Sequence, residues 1–371
     1  MDGSQVSALG QFVIGGAGAL RQIVGSQLSS DFEIMIAPGY TPDFQPTSTT
    51  IDSSTLVSLG RIRFWGASSY DILDSHVEAL GGGNPIEFGQ GAFGKACNLV
   101  DSDFVAPAGG TQVWGSCNFF LEGTKVDSMG GINFGLGGTT ALNDSSLTSQ
   151  NGSIYWAGGG VTIVDSDLEG TDLSWGNSSG VAVTGSSLTT TGSISAQTGG
   201  AVTFDDSKLT AEADSSQALY VSNSGARTIT NSKVKIKNGG ARLIGSGPLV
   251  FGNIKLSSKS DEGLVLEGAT AATISNSRIS TLGGIAARYS DDISISLSKV
   301  KTDGGVGLLA ESGFSGDSTL TESSVKGPQM AIRSFGHTTA VANKFSIDGT
   351  IELSSAQSCT SSDNTPDVAC F

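Results

Sequence analysis

Thr162-Ile163-Val164-Asp165-Ser166-Asp167-Leu168, Val202-Thr203-Phe204-Asp205-Asp206-Ser207-Lys208-Leu209, Thr228-Ile229-Thr230-Asn231-Ser232-Lys233-Val234 and Thr273-Ile274-Ser275-Asn276-Ser277-Arg278-Ile279 are copies of one cassette. An apolar pair at alternate positions is followed by Asp or Asn, Ser, one variable residue and a closing apolar residue. With that last residue as the anchor, fourteen copies fall at Leu56, Val77, Phe104, Val126, Leu147, Leu168, Leu188, Leu209, Val234, Ile254, Ile279, Val300, Val325 and Phe345, spaced by 20–27 residues. Leu28 and Ile34 are weaker candidates for an earlier turn. A fixed period of this length marks a solenoid, in which each turn packs only on its neighbours. Among 371 residues, 53 are Gly and only 8 are Pro, with no sustained helical periodicity, so each turn must be built from strands.

Within one repeat, three strand-like pieces separate. Between Leu168 and Leu188 they are the short anchor strand, Leu173-Ser174-Trp175 before Gly176, and Val181-Ala182-Val183 before Gly185-Ser186. Three short strands per turn with Gly, Asn, Asp and Ser at the corners give an all-β parallel β-helix of about fourteen turns. At roughly 4.8 Å per rung, such a coil is a rod on the order of 65–70 Å long.

These cassettes resemble those of the right-handed parallel β-helix group, which contains pectate-lyase-like enzymes, phage tailspikes and secreted adhesin or autotransporter passengers. The resemblance covers about residues 50–350 and implies the right-handed coil. It leaves function open, because enzymes and binding rods share the fold. The expected organisation is an N-terminal cap over 1–50, the β-helix over 51–353, and a tail over 354–371 closed by a disulfide.

The corner column reads Asp74, Asp101, Asp144, Asp165, Asp206, Asn231 and Asn276, with Glu322 in the same place and Gly185 or Leu297 breaking it. Asp and Asn bond their own backbone at turns, which accounts for the column; calcium shared between neighbouring carboxylates is the alternative. Apart from that structural calcium, no metal or cofactor is expected. An aromatic ladder of Trp65, Phe88, Trp114, Phe134, Trp156 and Trp175 is expected to stack in the core, the alternative being an exposed sugar platform.

Four cysteines fall as two local pairs, Cys97 with Cys117, about one turn apart, and Cys359 with Cys370, which would close a short polar loop; buried free thiols are the alternative. Two disulfides imply an oxidising, extracellular or cell-surface location. The formal charge of −15 opposes nucleic-acid binding, and no apolar run is long enough for a membrane helix. Met1-Asp2-Gly3-Ser4 reads as a processed or engineered start.

Charge is divided along the chain: residues 1–200 hold 18 acids and 5 bases, net −13, and residues 201–371 hold 17 and 15, net −2. The bases flank the anchors. Lys208, Lys233, Arg278, Lys299 and Lys344 stand one before; Lys235, Lys255, Lys301 and Lys326 stand one after. If anchors point inward these side chains form an outward stripe. The stripe either guards a strand face against lateral pairing or docks an anionic glycan or the acidic turns of a second copy. Longer turns at Ala211–Gln217, Ile236–Ala241 and Ser257–Glu262 are expected to stack as a lip, whereas the turn after Val306 carries its extra residues at another corner, Ala310–Asp317.

Catalytic signals are weak. The carboxylate pairs Asp101/Asp103, Asp165/Asp167, Asp205/Asp206 and Asp291/Asp292 all satisfy turn statistics, and His76 and His337 are many turns apart. Gly158-Gly159-Gly160 lacks the features of a phosphate loop, and the sequons at Asn143, Asn151 and Asn177 are expected by chance. The sequence therefore points to an extracellular structural or adhesive rod, with end-to-end filament assembly through its open strand edges. The alternative is a glycan-binding or polysaccharide-degrading β-helix.

Overall fold

The structure, a computed structural model, describes residues 1–16, 20–38, 47–66, 68–89, 95–113, 117–135, 138–213, 217–259, 263–305, 307–313 and 316–370. All regular elements among them are strands, paired in parallel, and the chain divides into two compact units, Met1–Gly180 and Val181–Phe371. In each unit every turn contributes one strand to each of three sheets.

The anchor residues lie in register in the first sheet. In the first unit the column runs Val6, Leu28, Leu56, Val77, Phe104, Val126, Leu147 and Leu168. In the second it runs Leu188, Leu209, Val234, Leu256, Ile279, Val300, Val325 and Phe345. Two corrections follow. The anchor expected at Ile254 is Leu256, because Asn253-Ile254 occupies the corner positions that Asn231-Ser232 fills one turn earlier. Two full turns also precede Leu56, one of them anchored at the candidate Leu28: residues 1–52, of which 1–50 are expected as a cap, supply the strands Gln5–Ala8, Gln11–Gly16, Leu20–Val24, Gln27–Ser30, Glu33–Pro38 and Thr47–Asp52. Ile34 belongs to the second sheet, not to the anchor column.

Strand length and corner chemistry explain one another. Anchor strands such as Thr55–Ser58 are four residues long and alternate outward and buried positions. The period of two therefore delivers two apolar or small side chains per strand to the interior. The turn into each anchor strand is made by one residue in the left-handed region, with φ of 48° at Ser53, 46° at Asp74 and Asp101, 47° at Asp144 and Asp165, and 55° at Gly123. Gly, Asn and Asp accept that conformation at least cost, which is why the cassette places them there.

The next residue is a buried hydroxyl. Ser75 Oγ donates to the Leu73 carbonyl (2.6 Å) and accepts from the Ser54 amide of the preceding turn (3.1 Å). Ser145 Oγ likewise donates to the Asn143 carbonyl (2.9 Å) and accepts from the Thr124 amide (3.2 Å). Flanking amides continue the inter-turn ladder, as in Asp74 N–H to Val100 O and His76 N–H to Ser54 O. The hydroxyl thus takes the one corner amide that the sheets cannot reach. In the second unit the same column passes through Ser207, Ser232, Ser277, Ser298 and Ser323 and ends in Asn343 and Asn364, whose side-chain carbonyls accept the amides of Ser323 and Asn343.

Replacing Ser145 by Ala leaves the Thr124 amide buried without its acceptor and is expected to destabilise the protein by about 1–3 kcal/mol. The outward-facing Ser146→Ala should stay within about 0.5 kcal/mol. Urea unfolding of the two variants followed by circular dichroism checks the difference; equal midpoints would remove the ladder from the account of stability.

Candidate functional site

The first unit stacks several of its large rings inside. Phe64 stacks on Phe88 with centroids 4.6 Å apart, Phe134 on Trp156 at 5.3 Å, and Trp156 on Trp175 at 5.2 Å. Trp156 and Trp175 are fully buried, so they are core and not a sugar platform. Trp65 is a correction: the register column contains Phe64, and Trp65 lies one residue further, on the outer face. Its indole lies over Gly89, where a Cβ would come within 2.2 Å of the ring, and it stands 5.6 Å from the Arg63 guanidinium. Trp114 lies outside the described residues; the register partner of Phe88 and Phe134 is Val113. Arg63 also joins Glu33 (3.2 Å) and Glu87 (3.1 Å), which places opposite charges on adjacent turns.

Cys97 and Cys117 form a buried disulfide with Cα atoms 5.9 Å apart, and Cys359 and Cys370 form a half-buried one with Cα atoms 5.7 Å apart.

The second unit has a slimmer core and a different outer face. Lys208, Lys233, Lys255, Arg278, Lys299, Ser324 and Lys344 lie in register on successive turns, each immediately before its anchor. Lys255 thus belongs to this column and not, as its spacing from Ile254 suggested, to the one after the anchor. The second column is discontinuous: Lys235 is followed by Ser257 and Ser280 before Lys301 and Lys326. Lys301 is paired with Asp303 at 2.8 Å, whereas no cation of the first column makes an ion pair among the described residues.

Between the first column and the corner residues runs an open groove of about 930 Å³, lined by Lys233, Lys255, Arg278, Lys299 and Lys344. Its other wall is the corner column Asn231, Asn253, Asn276, Leu297, Glu322 and Ala342, and its floor includes the buried hydroxyls of Ser232, Ser277, Ser298 and Ser323. Corners that are Asp74, Asp101, Asp144 and Asp165 in the first unit are neutral here from Asn231 to Leu297 and at Ala342, and the groove's acidic corners are Glu322 and, at its end, Asp363. The Asn wall is ordered: Asn253 donates to Asn231 Oδ1 (3.0 Å), and Asn231 donates to Asp205 Oδ1 (2.8 Å).

The other expected elements are dispersed. Thr230 and Asn231 donate to Asp205 and hold its carboxyl below the ordinary carboxylate range, the opposite of what a general acid requires. Asp101, Asp103, Asp165, Asp167, Asp206, Asp291 and Asp292 are exposed or corner residues. No group of three or more His, Cys, Asp and Glu converges on an ion position among the described residues. His76 sits 3.6 Å from Glu78 in the first unit, and His337 hydrogen-bonds Ser358 in the second. The long turns follow the far ends of the anchor strands, away from the groove. Glu212 pairs with Lys237 there on adjacent turns, and residues 214–216 and 260–262 lie outside the described residues, as do Val306, 314 and 315 at the other long turn.

Arg227 was not anticipated. It occupies an interior position between Val202 and Leu249, fully buried, and donates to the carbonyls of Gly245 (2.7 Å), Gly247 and Glu267 (3.3 Å). Burial lowers its pKa. Its parity with Ile229 was the available signal, since both occupy inward positions of Arg227–Thr230.

Residues 217–365 match a family model described as right-handed beta helix region, which covers the groove and agrees with the parallel coil. No curated protein and no solved structure gives a match.

Five like charges on consecutive rungs, Lys208 to Lys299, roughly 4.8 Å apart, oppose folding. Lys255→Ser is therefore expected to raise the melting temperature at low salt by about 1–2 °C, an effect that shrinks in about 0.5 M NaCl, where the Debye length is only a few ångströms. Scanning calorimetry at two ionic strengths tests this; a variant no more stable than the parent at low salt would contradict it.

Proposed function

We propose that this right-handed parallel β-helix is an extracellular or cell-surface adhesive solenoid, and that its second unit holds an extended acidic glycan in the cationic groove. The observation that carries this reading is the coincidence of three features at one place: an in-register Lys/Arg column, a concave surface, and corners that have exchanged Asp for Asn or Leu. A lysine face that only guarded against lateral pairing would not need most of its neighbouring corner carboxylates replaced, as they are here at every groove corner but Glu322 and Asp363. A rung repeat of roughly 4.8 Å presents charge at short, regular intervals along the groove, which suits an extended polymer with closely spaced anionic groups. The two disulfides support an oxidising location.

The acidic corners of a second copy are the competing occupant, and cleavage of the glycan is the competing activity. Heparin, with dextran as neutral control, is the probe. Binding measured by calorimetry should be confined to heparin and weaken about tenfold or more between about 50 and 500 mM NaCl. It should be lost in the triple variant Lys255→Glu, Arg278→Glu, Lys299→Glu, with the circular dichroism spectrum unchanged. Equal binding by parent and triple variant would sink the proposal. Salt-sensitive self-association in sedimentation without heparin binding would give the groove to a second copy, and sustained release of reducing or unsaturated ends would make the protein an enzyme.

A further inference from the structure

The corner residue that precedes the buried hydroxyl is Asp, Asn, Gly or Ser on nearly every turn of both units. Three successive turns depart from this: Leu297 at φ 48°, Glu322 at φ 47° and Ala342 at φ 57°. A left-handed backbone brings Cβ against the following carbonyl, and a branched apolar side chain has no local hydrogen bond to compensate for it. Leu297 is held there by the inter-turn bond from its amide to Thr321 O (3.1 Å) and by the hydroxyl column beneath it at Ser298. Its side chain is 59 % exposed, so burial does not explain the leucine. All three residues line the cationic groove.

Strain of this kind persists where the side chain serves something other than the fold. Leu297 places an apolar surface on the corner wall between Asn276 and Glu322, with Lys299 on its own rung and Arg278 on the preceding one. A bare polyanion has no use for an apolar surface between cations. A sugar polymer does, because a pyranose ring has an apolar C–H face as well as its charged substituents.

We infer that Leu297 is a ligand-contacting, specificity-determining residue, on which the apolar face of one sugar ring rests while the anionic groups of the same chain meet Arg278 and Lys299. This rests on the acidic-glycan reading of the groove. It adds that recognition is of an acidic carbohydrate and not of negative charge alone.

The test compares heparin with long-chain inorganic polyphosphate, which has charge but no apolar face, on the full chain. Leu297→Asn keeps every cation and fits the corner better, so its melting temperature should rise by about 1–2 °C. Its affinity for heparin should fall about fivefold, as expected for losing part of one leucine's apolar contact, with polyphosphate affinity unchanged within about twofold. Leu297→Met, which keeps an apolar side chain, should retain heparin binding. A parent protein that binds heparin, with Leu297→Asn binding it equally well, would overturn this inference alone, as would equal losses for both polymers. A parent that binds neither polymer would overturn the glycan reading itself.

Discussion

Every turn of a parallel coil must change direction without leaving a buried amide unpaired. At the corner before the anchor strand the chain does this with two residues, one in the left-handed region and one whose hydroxyl is buried. The hydroxyl bridges two turns by donating to its own strand and accepting from the turn before. An unsatisfied amide at each of these positions would cost about 1–3 kcal/mol, which a chain of short strands and tight turns could not absorb repeatedly. The corner therefore keeps the same length from turn to turn, and the anchor strands that follow it stay in register in each unit. Extra residues enter at other corners, as after Ala211 and Ile236.

Constant register is what turns single residues into columns. In the first unit the shared positions stack aromatic rings inside and bring the buried Glu33 and the half-buried Arg63 and Glu87 together on adjacent turns, so neighbouring turns attract. In the second unit the same geometry stacks like charges, a cost that repetition multiplies. The groove is a direct product of the corner, since its floor is the hydroxyl column and its two walls are the residues on either side of it. The bonded floor and the groove walls thus use adjacent positions of one cassette, so a strained leucine at the corner can be tolerated while Ser298 beneath it keeps its bonds.

The sequence was most legible where a residue type has only one structural use. Thirteen of the fourteen expected anchors lie in the register column; seven of them follow Asp-Ser or Asn-Ser, since few other settings require a left-handed residue followed by a small hydroxyl, and period and apolar alternation carried the other six. It failed at Ile254, where an apolar residue fills the hydroxyl slot and imitates an anchor two positions early. It failed again at Phe64-Trp65, where adjacent aromatics satisfy either parity and ring size favoured the wrong one. Of the first two turns only the one anchored at Leu28 left a trace, and a weak one, because Gly25 and Gly3 take the corner without the acidic signature. Arg227 was passed over because a charged residue at an inward position is discounted unless the carbonyls that receive it are known.

From the sequence alone came the all-β class, the repeat, the three strands per turn, the two local cysteine pairs and the division of charge between the chain's halves. All of these follow from composition, from the period, or from residues no more than about one turn apart, where period and residue type suffice. Only the tertiary structure decided that Lys233, Lys255, Arg278 and Lys299 form one unbroken column, that the column lines a groove, and that Leu297 stands in that groove at a positive φ. Those facts depend on the register between turns 20–25 residues apart. A shift of a single residue would send each of these side chains to the opposite face of its sheet.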